Sequence, residues 1–124
     1  MTFYICRSCG NVIVKLNDSG VKVSCCGTFM EELVPGTTDA ATEKHVPSVK
    51  VDGNKVNVQV GDVEHPMVEG HYIQFIILET DKGYSCVNLT PEDKPVAEFI
   101  VPDGEKPVAV YEYCNMHGLW KKDI

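Results

Sequence analysis

Lys55-Val56-Asn57-Val58-Gln59-Val60 is the stretch that decides the fold class. Its three valines fall on one face of an extended chain, and Lys55, Asn57 and Gln59 fall on the other. That period of two marks a strand with one face buried. Working outward, Tyr72-Ile73-Gln74-Phe75-Ile76-Ile77-Leu78 reads as a more deeply buried strand. Tyr84 to Leu89, Val96 to Val101 and Val108 to Tyr113 read as further strands. Asp52-Gly53, Asp81-Lys82-Gly83 and Asp103-Gly104 punctuate them as turns. Many short strands at near-regular spacing predict an antiparallel sandwich or barrel, so the fold class is all-β. No stretch has a helical period of useful length, and none is repeated or of low complexity.

The 124 residues suit one ordinary domain with a small appendage. Pro35-Gly36-Thr37-Thr38-Asp39-Ala40-Ala41-Thr42 has the composition of a linker, which predicts units at 1–36 and 37–124. Charge divides at the same place. Arg7, Lys15 and Lys22 balance Asp18, Glu31 and Glu32 in the first unit, so the whole net charge of −7 lies in the second. A unit of under about 40 residues needs a metal, disulfides or a partner to fold. Its expected strands are Phe3-Tyr4-Ile5, Val12 to Leu16 and Val21 to Ser24, with Asp18-Ser19-Gly20 turning between the last two.

The acidic balance excludes nucleic acid as an expected partner, because phosphate binding needs a basic face. No run of about 18 apolar residues is present, so no membrane span is expected. Met1-Thr2-Phe3-Tyr4-Ile5-Cys6 lacks the pattern of a secretory signal, and the expected compartment is the cytoplasm.

Six cysteines occur: Cys6, Cys9, Cys25, Cys26, Cys86 and Cys114. In a reducing compartment, metal ligation or redox chemistry is the better reading than disulfides. Cys6-Arg7-Ser8-Cys9-Gly10 has the spacing that lets two thiolates converge on one ion, and Gly10 permits the turn that closes the knuckle. Cys25-Cys26-Gly27 completes a set of four thiolates suited to zinc or iron. From the motif alone, a structural zinc ribbon, a redox iron site and a vicinal disulfide at Cys25-Cys26 all stay open. Two adjacent ligands strain either the backbone or the tetrahedron.

The four histidines are His45, His65, His71 and His117. A lone histidine is usually a satisfied surface or core residue. Cys114-Asn115-Met116-His117 differs, because a thiolate and an imidazole at that spacing on a loop can share one ion. His65 and His71 flank an expected loop before a buried strand.

At this point the chain resembles the desulfoferrodoxins, the two-iron superoxide reductases. The resemblance runs nearly end to end. It is carried by the four-cysteine module, Glu43-Lys44-His45-Val46-Pro47, His65-Pro66-Met67, His71-Tyr72-Ile73 and Cys114-Asn115-Met116-His117-Gly118-Leu119-Trp120-Lys121. It implies a desulforedoxin-like knuckle followed by an immunoglobulin-like β-sandwich, and two irons per chain. One iron would sit on Cys6, Cys9, Cys25 and Cys26. The other would take His45, His65, His71 and His117 in its equator and Cys114 on its axis. The resemblance further implies reduction of superoxide to hydrogen peroxide, a rubredoxin-type electron donor and a homodimer.

Two neighbours of the ligands gain roles from it. Lys44 would attract the superoxide anion, and Glu43 would close the sixth position of the ferric iron and move aside for substrate. Without the motif, both read as ordinary solvated residues. Cys86 reads as a buried small hydrophobe in its strand, and Trp120 as core or rim packing. The rival functions are a non-catalytic iron electron carrier and a zinc-ribbon interaction module.

Overall fold

The computed structural model describes all residues, 1–124. The chain divides into two compact units, Met1–Val34 and Pro35–Ile124.

In the first unit, β1 (Phe3–Ile5) is the middle strand of three, with β2 (Val12–Val14) and β5 (Glu31–Leu33) antiparallel on either side. A separate short ladder joins β3 (Ser24–Cys25) to β4 (Thr28–Phe29). The buried apolar side chains are few: Phe3, Ile5, Cys6 and Leu33. So small a core supplies little of the stability a domain needs.

The expected hairpin between 12–16 and 21–24 does not form. The turn itself is present, because Asp18 Oδ1 accepts from the Gly20 amide at 2.8 Å and from Lys15 Nζ at 3.0 Å. The chain beyond it does not return to β2, and β1 pairs with β5 instead. Val21 and Leu16 are left exposed. The apolar pattern suggested pairing, but the segment is used to carry Cys25 and Cys26 to the knuckle.

The second unit is a sandwich of two antiparallel sheets. One holds β6 (Pro47–Asp52), β7 (Lys55–Val60) and β10 (Val96–Ile100) in the order β10-β7-β6. The other holds β8 (Ile73–Thr80), β9 (Tyr84–Asn88), β11 (Pro107–Cys114) and β12 (Gly118–Asp123) in the order β12-β11-β8-β9. Three strands face four, an immunoglobulin-like arrangement. Val56, Val58 and Val60 pack against Ile73, Ile76, Leu78, Phe99 and Val110 in the shared core. The alternation read in β7 is thus a real inward face.

β6 and β12 were not anticipated. Both are edge strands of their sheets, and both mix apolar with charged residues: Lys50 and Asp52 in one, Lys121, Lys122 and Asp123 in the other. Edge strands tolerate charge on both faces, which hides the period of two. One helical turn, α1 (Thr42–His45), was also below the resolution of pattern reading.

Cys86 is corrected by the structure. It lies on β9, an edge strand, and its side chain is exposed rather than buried. Tyr84 and Ser85 beside it are exposed too, so β9 presents little of itself to the core.

Stability follows from these placements. Val56 is 0 % exposed, and Val56→Ala is expected to cost about 2–3 kcal/mol through lost methyl burial and a residual cavity. Cys86→Ser is expected to change stability by no more than about 0.5 kcal/mol, as at other exposed sites. Urea unfolding followed by the fluorescence of Trp120, the single tryptophan, checks both in the second unit. A loss at Cys86 equal to that at Val56 would contradict the edge-strand placement.

Candidate metal centres

Both candidate clusters are assembled by loops hung on short strands. In the first unit, β1 ends at Ile5 and delivers Cys6 directly into the knuckle. The Gly10 amide donates to the Cys6 carbonyl at 2.8 Å, and the Cys6 amide to the Asn11 carbonyl at 2.9 Å. These bonds close the turn that brings Cys9 back over Cys6. β3 delivers Cys25 from the other side, with Cys26 next in the chain.

The strain of adjacent ligands is taken by the backbone. Cys26 is the only non-glycine residue with positive φ, at 53°. That left-handed step turns its side chain to the same side as that of Cys25. The four sulfurs then lie within 4.8 Å of one another. Cys9 Sγ is 3.6 Å from Cys25 Sγ, and Cys25 Sγ is 4.0 Å from Cys26 Sγ, so the vicinal pair is not bonded. A tetrahedral ion with metal–sulfur bonds of about 2.3 Å needs sulfurs about 3.8 Å apart. The donor set fits such an ion.

The electrostatics point the same way. The backbone amide of Cys9 donates toward the Cys6 sulfur and draws its pKa down to about 6. The Cys9 and Cys6 sulfurs push Cys26 the other way, up to about 12. One thiolate is favoured, and its neighbours resist a second. A bound cation resolves that conflict, because it lets all four sulfurs carry charge. Asn11 Nδ2 lies 3.7 Å from Cys25 Sγ as a further donor, and the Arg7–Glu31 pair at 3.1 Å ties the knuckle to β5.

The second cluster gathers His45, His65, His71, Cys114 and His117. α1 carries His45. The turn after β7 carries His65. An isolated bridge between Val68 and His71 closes the loop that places His71 before β8. β11 ends at Cys114, and the tight turn to β12 carries His117. A register shift between Tyr113 and Cys114 skips Gln74 on β8. Such an irregularity re-aims a side chain at a strand end.

The rings form a closed cycle. Centroids of His45–His65, His65–His71, His71–His117 and His117–His45 lie 4.7–5.0 Å apart, with interplanar angles of 71–85°. His45 Nε2 is 3.1 Å from both His65 Nε2 and His117 Nδ1. Adjacent corners of a square 3.1 Å apart lie 3.1/√2, about 2.2 Å, from its centre, close to a metal–nitrogen bond of about 2.0–2.1 Å. His71 Nε2 is buried without a hydrogen-bond partner, which marks a lone pair intended for something else. The residues therefore fit a metal held by four nitrogens and a sulfur.

Second contacts fix which nitrogen faces inward. His45 Nδ1 donates to the Ala41 carbonyl at 2.7 Å, and His65 Nδ1 to the Pro66 carbonyl at 2.7 Å. Each ring must then turn an unprotonated Nε2 to the centre. Burial lowers the pKa of His45 and His71, and lowers His65 to about 4. The imidazoles of these three residues are neutral at pH 7, as ligation requires. Trp120 stacks on His45 with centroids 5.0 Å apart, and its Nε1 donates to the His117 carbonyl at 3.0 Å. Asn115 clamps the His71 loop: its Oδ1 accepts from the Tyr72 amide at 2.9 Å and its Nδ2 donates to the Gly70 carbonyl at 2.9 Å.

Cys114 is fully buried, and its Sγ is 3.8 Å from His117 Nδ1. Burial pushes its thiol up, while the backbone amides of Met116 and His117 donate to the sulfur and oppose the rise. Glu43 and Lys44 stand outside the donor set. Both are exposed on α1, and the Lys44 charge disfavours protonation of His45 and His71.

Three residues near the site were not identified by sequence reasoning. Asn115 and Ala41 act through local geometry that no pattern announces. Glu112 is the third. It is 0 % exposed, neither carboxylate oxygen has a partner, and desolvation raises its pKa well above the ordinary value. A clue was available, because Glu112 shares the inward register of Val110 in an apolar strand.

A profile of the Desulfoferrodoxin family matches residues 37–123. A desulfoferrodoxin of Clostridium acetobutylicum is 42 % identical over 125 residues, covering 100 % of this chain and 97 % of that one. The crystal structure of the superoxide reductase from Treponema pallidum superposes with a TM-score of 0.81 at 33 % identity, covering 98 % of both chains. The one-iron superoxide reductase from Giardia intestinalis matches with a TM-score of 0.58 at 38 % identity, over 66 % of this chain and 97 % of its own. With its four-sulfur and five-donor clusters and these relatives, the chain belongs to the desulfoferrodoxin family.

Proposed function

We infer that this chain is a superoxide reductase, which adds one electron and two protons to superoxide and releases hydrogen peroxide without forming dioxygen. The observation that carries the reading is the convergence of four imidazoles and one buried thiol on a point, with a lysine on the adjoining turn. The two donor sets would hold two iron ions per chain. Iron held by the five donors would supply the electron to the bound anion.

The ligands proposed for that iron are His45, His65, His71, His117 and Cys114, and for the other iron Cys6, Cys9, Cys25 and Cys26. The chain's own groups shape the reaction around them. The Ala41 and Pro66 carbonyls hold His45 and His65 as neutral donors. The Met116 and His117 amides draw charge off the Cys114 sulfur, which keeps the thiolate a moderate donor and favours release of peroxide over O–O cleavage.

Lys44 counters a global field of the wrong sign. Residues 37–124 carry the whole net charge of −7, which repels an anion. A cation beside the entrance focuses the local field and holds water that delivers protons. Glu43, its neighbour, would cover the open side of the site when no substrate is present and withdraw when it arrives. The two units, 1–36 and 37–124, act as separable modules. A rubredoxin-type protein supplies electrons, the chain works as a homodimer, and the compartment is cytoplasmic. No helix is long and apolar enough to cross a membrane.

Metal analysis and paired variants test the modular two-iron reading. The purified protein is expected to be coloured and to hold two irons. Cys25→Ser is expected to lose the four-sulfur iron and loosen the first unit, yet keep the reaction of the pre-reduced second site. Cys114→Ser is expected to do the reverse: the four-sulfur iron stays and superoxide reduction is lost. If Cys25→Ser abolishes the reaction while iron remains on the histidines, the modules are not independent.

Lys44→Ala is expected to keep both irons and slow the bimolecular step with superoxide by roughly tenfold, the lower part of the steering range. Salt supplies the control, because the Debye length falls from about 30 Å at 0.01 M to about 10 Å at 0.1 M. Pulse radiolysis across that range should show the wild-type rate falling with salt and the variant flatter. Equal rates and equal slopes would reduce Lys44 to a surface residue.

A further inference from the structure

The turn that carries Glu43 and Lys44 rests on bare backbone. Gly61 follows β7 directly, is buried, and has φ of +79°. Its amide donates to the Val46 carbonyl at 3.2 Å, and its carbonyl accepts from Gln59 Nε2 at 3.1 Å. Two residues on, the Val63 amide donates to the Glu43 carbonyl at 3.0 Å. A methyl group built on the Gly61 α-carbon would lie 2.5 Å from Val63 O, 2.7 Å from Glu43 O and 2.7 Å from the Lys44 carbonyl carbon. All three are backbone atoms, so no side-chain rotation relieves the clash. Either the turn after β7 moves or the Glu43–Lys44 peptide moves.

We propose that Gly61 is a positioning residue for superoxide reduction: its missing side chain lets the Glu43–Lys44 peptide settle on the end of β7 and sets where both charged groups stand beside the histidines. The proposal rests on the roles given above to Glu43 and Lys44. His45 is not the part that yields. Its ring is held from another element, by the Trp120 ring of β12 stacked at 5.0 Å. The turn after β7, which carries His65, is closed by the His65 amide on the Val60 carbonyl at 3.3 Å, so a side chain at position 61 is expected to displace the charged pair while both ligands are retained.

Other positive-φ glycines separate this effect from ordinary backbone strain. Gly53, in the turn between β6 and β7, has φ of +60° with nothing within 4 Å of a built methyl. Gly53→Ala carries the same conformational penalty without the clash.

The test compares full-length, iron-loaded wild type with Gly61→Ala, Lys44→Ala, the double variant and Gly53→Ala. Iron content and visible spectrum are recorded, then the rate with superoxide by pulse radiolysis from 0.01 to 0.1 M salt. Gly61→Ala is expected to keep its iron, to slow roughly tenfold and to lose salt dependence, as removal of local steering does. The double variant is expected to be no slower than Lys44→Ala, because residues acting through one another are not additive. Gly53→Ala should match wild type. Wild-type rate and slope in Gly61→Ala beside a slow Lys44→Ala overturn the proposal alone, as do additive losses or loss of iron from the histidines. A wild-type rate in Lys44→Ala overturns the steering reading itself, and the proposal with it. Should Gly61→Ala fail to fold, Gln59→Ala removes the amide that holds the Gly61 carbonyl from an exposed position. It is expected to slow the reaction in the same direction by less, and wild-type kinetics there overturn the proposal.

Discussion

Four imidazole nitrogens and one thiol sulfur must meet at a point, and much of the second unit is arranged to make them do so. The donors come from α1, the turn after β7, the loop before β8, and the two ends of the β11–β12 turn. No single element could supply them. The sandwich core of Val56, Val58, Val60, Ile73, Ile76 and Val110 holds these loops at one end of the two sheets. Burial of the core drives folding, but the loops above it are held by hydrogen bonds to Ala41, Pro66, Tyr72 and Gly70, by stacking on Trp120, and by the metal. The first unit inverts that balance. With few buried apolar residues, its fold depends on the four-sulfur ion far more than on its core.

Charge sets a second constraint. His65 titrates near 4, below the ordinary histidine value of about 6.5, because burial disfavours its cation. The shift is downward, so the stability from keeping this ring neutral is complete above about 6.5 and is lost as pH falls toward 4. Metal binding needs the same neutral ring, so acid opposes the fold and the site together. Glu112 adds a buried acid two residues before Cys114, and desolvation favours its neutral form. An ionised carboxylate so close to the sulfur would raise the thiol further, which is the direction in which Glu112 acts on Cys114.

Much of this was legible in the sequence, for identifiable reasons. β7 was readable because Val56, Val58 and Val60 alternate without exception, and the four-cysteine knuckle because thiolates that share an ion recur at short spacings, whereas the four-histidine, one-thiolate set followed from the resemblance to the desulfoferrodoxins, since its donors are scattered from His45 to His117. Edge strands were less so: Lys50 in β6 and Lys122 in β12 break the alternation that burial would impose. The absent hairpin after β2 shows the limit of pairing rules in a metal module, where chelation outweighs the preference of Val21 and Leu16 for cover. Cys86 was misplaced because strand residues read alike whether a strand is central or peripheral. The Cys25-Cys26 pair looked strained from its spacing, and only the backbone shows that Cys26 absorbs the strain with φ of 53°.

The central claim is that the five-donor site reduces superoxide rather than disproportionating it. The decisive measurement is product stoichiometry with a reductant supplied, following peroxide and dioxygen together as superoxide is consumed. Reduction yields one peroxide for every superoxide and no dioxygen from the enzyme. A yield of one peroxide and one dioxygen for every two superoxide ions, unchanged by the reductant, would contradict it.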